Sequence, residues 1–125
     1  MCKQSKELTE FYKSSYEKDG RNRYCKGCCK VNRALETLRK RPSTRGTLEK
    51  NHIQRAKDQK LPWEPGITLE FVFKKALGIC ALCNKWTPAS KASLDHIVPI
   101  SRGGGHTADN VQLAHLKCNQ SKGNR

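Results

Sequence analysis

No stretch of this chain is apolar for long enough to span a bilayer: Ile67 to Cys83, the best candidate, is broken by Glu70, Lys74 and Lys75. The N-terminus is polar from Cys2 onward and has no signal-peptide pattern. Membrane and exported classes therefore drop out, and a soluble, cytoplasmic protein is expected. Aromatic residues are scarce, at 6%, which argues against a module that reads single-stranded RNA by stacking its bases. Acidic residues are scarce as well: 11 Asp and Glu stand against 25 Lys and Arg, for a net charge of +14. Such an excess points to an acidic partner, with nucleic acid the expected one and a merely solvated basic face the alternative. Residues 1–60 hold 17 basic and 7 acidic side chains, so the N-terminal half is the stronger electrostatic handle.

Cysteine is plentiful. Seven cysteines in an intracellular chain, an odd number, argue for metal ligation rather than disulfides. At 125 residues the chain has room for one domain or two very small ones. Composition divides it in three. Residues 1–40 form a small cysteine-containing module with Cys25-x-x-Cys28, the aromatics Phe11, Tyr12 and Tyr16, and a turn signal at Asp19-Gly20. From Cys29 to Lys60 the chain turns helix-friendly and highly charged, broken at Arg41-Pro42-Ser43 and near Gly46, which predicts two helical pieces; residues 41–66 read as a basic connector. Leu61-Pro62-Trp63-Glu64-Pro65-Gly66 cannot continue a helix, and residues 67–125 form the last part.

In that last part Leu69, Val72, Phe73, Ala76 and Leu77 recur at helical spacing, with Gly78 as the stop. A unit of 59 residues with so few apolar side chains is marginal without a staple. Cys80-x-x-Cys83 and His115-x-x-Cys118 supply the ligands for one: three thiolates and an imidazole, the set of a closed structural Zn²⁺ site. Free thiols and a surface histidine are the alternative.

The stretch Leu94-Asp95-His96-Ile97-Val98-Pro99-Ile100-Ser101 places an acid beside an imidazole on an expected strand. Asn119 and Lys122 follow on a short final helix, with Asn110 between. Phosphodiester hydrolysis needs a base for water, oxygen ligands for a cation and positive charge for the polyanion, and these residue types are all present. Successive helical residues point about 100° apart, so a Cys118 facing zinc turns Asn119 to another side, and Lys122 shares the Asn119 face. Asp95 and His96, adjacent on a strand, should leave on opposite faces.

These motifs, over about residues 76 to 123, resemble the HNH endonucleases of the ββα-metal (His-Me finger) fold. The resemblance implies an α+β chain: a small zinc-stapled nuclease domain preceded by a basic zinc-ribbon-like and helical region, in a bacterial cell or a phage-infected host. It implies His96 as general base, Asp95 and Asn119 as ligands of a catalytic cation, and Asn110 as a brace for the loop that orients His96. Zn²⁺ at Cys80, Cys83, His115 and Cys118 would be structural. Many members carry histidine where this chain has Asn119; an amide oxygen beside Asp95 suits Mg²⁺ or Mn²⁺ better than a second zinc. Lys122 and Arg102 are expected to contact DNA. A zinc-dependent DNA-binding protein without turnover is the competing class.

The N-terminal run from Cys2 to Tyr12, with Asp19-Gly20 and Tyr24-Cys25-Lys26-Gly27-Cys28, is similar to a zinc ribbon that precedes some HNH domains. One ligand is missing from that pattern, leaving Cys2, Cys25 and Cys28 for a second zinc, with Cys29 a poor substitute for the fourth. His52 reads as a solvated helix side chain, and His106 as a loop-surface residue after Gly103-Gly104-Gly105, a flexible loop or a phosphate approach. Trp63 and Trp86 are expected to pack against the zinc-bound unit. No dimerisation signal is visible.

Overall fold

The computed structural model describes residues 7–18, 20–40 and 44–123. A short hairpin, β1 (Phe11–Lys13) with β2 (Arg21–Cys25), leads directly into helix α1 (Lys26–Lys40). Helix α2 (Thr44–Asp58) follows and runs through Gly46, so the two helical pieces lie where they were expected, without the second break. The chain then forms α3 (Leu69–Lys75), an antiparallel pair β3 (Ala92–His96) and β4 (Val111–His115), and α4 (Leu116–Lys122). Among the described residues, two short sheets and four α-helices make this the mixed α+β class anticipated from the motifs. Among the described residues no helix is long and apolar enough to cross a membrane.

Helix α1 shows why the pieces hold together. Val31, Ala34, Leu35 and Leu38 recur at three- and four-residue steps, and all four are buried. They share one hydrophobic cluster with Ile67, Val72, Phe73, Val111 and Leu113. The core of the C-terminal unit is thus partly supplied from residues 31–38, each leucine contributing about 2 kcal/mol on burial. Arg39 adds an exposed tie to Glu70 on α3, at 2.6 Å.

Helix α3 begins where Thr68 caps it, its hydroxyl accepting from the Phe71 N–H at 3.2 Å. Val72 and Phe73 are fully buried, and Phe73 meets Trp86 edge-on at 5.8 Å. Leu77, expected on this apolar face, is 64% exposed: the helix has ended at Lys75, and Leu77 lies at a φ of 51°. Gly78 does close the segment, for a steric reason as well as its φ of 78°, since a Cβ there would lie 2.3 Å from the Trp86 ring.

Pairing of β3 with β4 sets Leu94 opposite Leu113, Asp95 opposite Gln112 and His96 opposite Val111. Leu113 and Val111 face the core, and α4 starts without a connecting loop, His115 being both the last residue of β4 and the N-cap of α4. This ββα unit is closed by the knuckle at Cys80 to Cys83.

Candidate functional site

Among the described residues two groups bring three or more metal-competent side chains to within 4.8 Å of one another. The first is Cys80, Cys83, His115 and Cys118. Its geometry suits an ion. His115 Nε2 lies 3.1 Å from the Trp86 carbonyl, which can only accept, so that nitrogen carries the proton and Nδ1 turns its lone pair to the sulfurs. Nδ1 sits 3.3 Å from Cys83 Sγ and 3.8 Å from Cys118 Sγ. Burial opposes ionisation of the Cys80 thiol, but backbone N–H groups of His115, Cys83 and Leu82 outweigh it and bring its pKa down to about 6. Cys118 is pushed up to about 11, by desolvation first and then by the Cys83 and Cys80 thiols. Three thiolates do not coexist in this space without a cation. Trp86 packs against this unit as expected, and Trp63 joins it through its backbone, which pairs with His106, while its ring stays 42% exposed with Lys57 over it at 4.3 Å.

The second part of the site is a cleft of about 470 Å³ between the ββα unit and α2. Asp95, His96 and Asn119 line it from one side, and His52 and Arg55 of α2, with Gln59 just past its end, line it from the other. Strand alternation sends the neighbouring side chains Asp95 and His96 to different partners, yet both border the cleft because β3 ends there. The Asp95 carboxylate is 4% exposed; Lys122 Nζ lies 2.9 Å from each of its oxygens, and Gln112 Nε2 donates to Oδ2 at 2.7 Å. Lys122, expected to meet phosphate, instead sits among Asp95 and the His96 and Ile97 carbonyls. Asn119 is one turn back on α4, and its Nδ2 donates to Ser93 Oγ at 2.8 Å and the Leu94 carbonyl at 3.3 Å.

Asn110 is clipped into the loop after β3. Its Oδ1 accepts from Val98 N–H at 2.9 Å, and its Nδ2 donates to the Val98 and Gly105 carbonyls at 2.9 and 2.8 Å. Gly104 is what lets this loop close: a Cβ there would fall 1.8 Å from the Val98 oxygen and 2.7 Å from Asn110 Nδ2. Gly104, which is buried, and Gly105, where a Cβ would fall 2.6 Å from the Pro62 oxygen, therefore serve the protein's own backbone. Gly104→Ala should open the clip, lowering stability by about 2–3 kcal/mol by overpacking; a denaturant midpoint equal to wild type would refute this role. Arg102 lies exposed on the 3₁₀ turn Ile100–Arg102 of the same loop.

Sequence reasoning misjudged two histidines. His106 is fully buried, not a loop-surface residue: its Nε2 lies 3.2 Å from the Ile67 carbonyl and its Nδ1 lies 3.0 Å from His96 Nε2. His52 is half-buried rather than solvated, its ring 5.0 Å from His96 and 5.6 Å from His106. These contacts fit one assignment of tautomers for neutral rings. With the proton of His106 on Nε2, facing the Ile67 carbonyl, His106 Nδ1 accepts, His96 Nε2 donates, and His96 keeps its lone pair on Nδ1. Burial, with His52 and His106 adding to it and Asp95 opposing, holds the pKa of His96 down to about 4. His52 is held at about 4 by burial, then by His106 and Arg55. Both are neutral near pH 7. No sequence signal linked His52 to His96, which are joined only by the tertiary placement of α2.

The second zinc expected in the N-terminal module involves Cys2, which lies outside the described residues. Cys25 is buried at the end of β2, with the Cys28 N–H 3.4 Å from its sulfur, and Cys29 Sγ lies 3.5 Å from the Tyr24 carbonyl.

Residues 79–125 match the family model described as HNH endonuclease. The matched segment holds β3, β4, α4, the Cys80 to Cys118 group and the cleft residues Asp95, His96 and Asn119, and it bears out the resemblance drawn from those motifs. At family level this supports nuclease-type activity, with DNA as the substrate class. No curated protein matches the chain.

Proposed function

With that HNH match as the premise, we propose that the chain is a metal-dependent DNA endonuclease that hydrolyses phosphodiester bonds in the cleft beside β3. One observation carries the reading: Asp95, His96 and Asn119 border a single cleft while Asn110 fixes the loop that leaves it. His96 Nδ1 takes a proton from water. The water oxygen bonds to phosphorus, the bond from phosphorus to the 3′ oxygen breaks in line, and that oxygen takes a proton from solvent, leaving 5′-phosphate and 3′-hydroxyl ends. Arg55 in the cleft, Arg102 on its loop and the basic N-terminal half attract the DNA backbone.

The donors for a catalytic cation are hard oxygens: the Asp95 carboxylate and the Asn119 amide oxygen, whose NH₂ is already tied to β3. They suit Mg²⁺ or Mn²⁺, which when bound would offset negative charge developing on the phosphate and the leaving oxygen. The Cys80, Cys83, His115 and Cys118 set suits Zn²⁺ in a structural role, with no open position for chemistry.

Lys122 on both Asp95 oxygens is the observation that favours a second reading, a zinc-stabilised DNA-binding protein without turnover. It also makes a prediction. Lys122→Met should cost about 3 kcal/mol in chelator-free buffer without Mg²⁺, with the cysteine site loaded with Zn²⁺, by leaving a buried carboxylate without its charge partner. Millimolar Mg²⁺ should restore part of that loss if Asp95 accepts the cation. Chemical denaturation with and without Mg²⁺ measures it, and an equal loss in both conditions counts against Asp95 as a ligand.

The deciding experiment is a supercoiled-plasmid assay of the full chain in Mg²⁺, in Mn²⁺ and in EDTA. Metal-dependent conversion to open-circular or linear DNA supports the endonuclease. Plasmid binding without conversion in any metal supports the non-catalytic reading.

A further inference from the structure

The second donor group, His52, His96 and His106, draws on three separate parts of the chain: α2, the end of β3 and the glycine loop. Its donor atoms all lie within 4.8 Å of one another. The tightest pair, His96 Nε2 and His106 Nδ1, is 3.0 Å apart. Two imidazole nitrogens bound to one tetrahedral ion at about 2.0–2.1 Å stand roughly 3.3 Å apart, so the pair needs only a small opening. His106 already makes the outer contact typical of a metal-bound imidazole, its far nitrogen donating to the Ile67 carbonyl and its near nitrogen facing inward as a lone pair. His106 is buried, while His52 and His96 border the cleft, which gives an ion a way in.

We propose that His52, His96 and His106 form a site for a transition-metal cation of the Zn²⁺, Co²⁺ or Ni²⁺ class, and that an ion held there shuts off the neighbouring cleft. The selectivity follows from the donors. Three imidazoles suit these ions, whereas Mg²⁺ and Mn²⁺ prefer the oxygens of Asp95 and Asn119. The inhibition follows from the tautomers and rests on the reading of His96 as the base. With no ion bound, His96 Nε2 carries the proton and Nδ1 the lone pair. Coordination through Nε2 uses the lone pair of that nitrogen, so the proton moves by way of water to Nδ1, with no net release. The atom that accepted a proton from water is then an N–H donor.

The test uses the full chain with one equivalent of Zn²⁺ in its cysteine site. Calorimetric titration with Co²⁺ should reveal one further equivalent, giving visible ligand-field bands without the near-ultraviolet thiolate charge transfer of a cysteine-bound ion. His52→Asn and, separately, His106→Asn should weaken that equivalent by at least about a hundredfold, beyond the loss expected for an outer-shell partner, while keeping the cysteine-bound zinc. His52, only half-buried, is the safer variant should His106→Asn fail to fold. In the plasmid assay with Mg²⁺, micromolar Zn²⁺ or Co²⁺ should slow wild-type cleavage by about tenfold or more, as expected when most of the population loses its base. Cleavage by His52→Asn, whatever its level, should no longer respond. Absence of the second equivalent, or its survival in the folded variants, overturns the site. A second equivalent on these histidines that leaves wild-type cleavage unchanged overturns the inhibition. If the second equivalent behaves as expected and no metal supports cleavage, the endonuclease reading falls while the three-histidine site stands.

Discussion

Cys80→Ser is expected to abolish the cooperative unfolding of residues 67 to 123, and prolonged chelation of the wild type should do the same. Cys80 is fully buried beneath the knuckle, and its backbone N–H is held by the Lys85 carbonyl at 2.9 Å, while the next residue, Ala81, donates to Leu113 at 2.8 Å. The ion position therefore ties the knuckle to strand β4. Structural Zn²⁺ in small domains contributes about 10–16 kcal/mol at neutral pH, as much as or more than the whole stability of a typical domain. Its loss leaves only the apolar cluster shared with α1, in which Val72, Phe73, Val111 and Leu113 join Leu35 and Leu38, to offset the ordering of the unit. Circular dichroism melting measures the effect. A Cys80→Ser chain that melts at the wild-type midpoint, or a wild type indifferent to chelators, would show that the four ligands do not hold a structural ion.

The second large effect concerns the base. His96→Ala should reduce plasmid cleavage by about 10²–10⁴-fold, the range in which a positioned general base contributes. The same substitution takes a hydrogen bond from His106 Nδ1, so its folding must be checked by melting in parallel. Binding of the plasmid, set mainly by Lys and Arg contacts to phosphate, should change little. Cleavage within about tenfold of wild type would remove His96 from the role of base, and parallel losses of binding and cleavage would mark a scaffold defect instead.

How much of this was legible depended on the range of the interactions involved. Cys80, Cys83, His115 and Cys118 could be read because each pair sits on one local turn with fixed spacing. The α3 face was legible for the same reason, up to Leu77, where a positive φ overrode the period. The apolar face of α1 was present in the spacing of Val31, Ala34, Leu35 and Leu38, but the charged residues around it drew attention to a connector. His52 and His106 carried no local signal at all. Their surroundings come from α2 folding over the ββα unit and from the Ile67 carbonyl, 39 residues away in sequence from His106. Lys122 was placed on the right face, but the buried Asp95 claims its charge, a partnership that only the depth of the β3 carboxylate reveals.

The wall that α2 contributes to the cleft has a consequence for portability. His52, Arg55 and Gln59 lie before the matched residues 79–125, as do Val31 to Leu38, which fill the core. Grafted alone onto another scaffold, the matched segment would carry Asp95, His96, Asn110 and Asn119 with it, but would leave behind one bank of the cleft and part of its own interior. The smallest transferable piece of this protein must therefore begin upstream of Val31, and chimaeras joined between α2 and α3 would exchange one bank of the cleft while keeping the other.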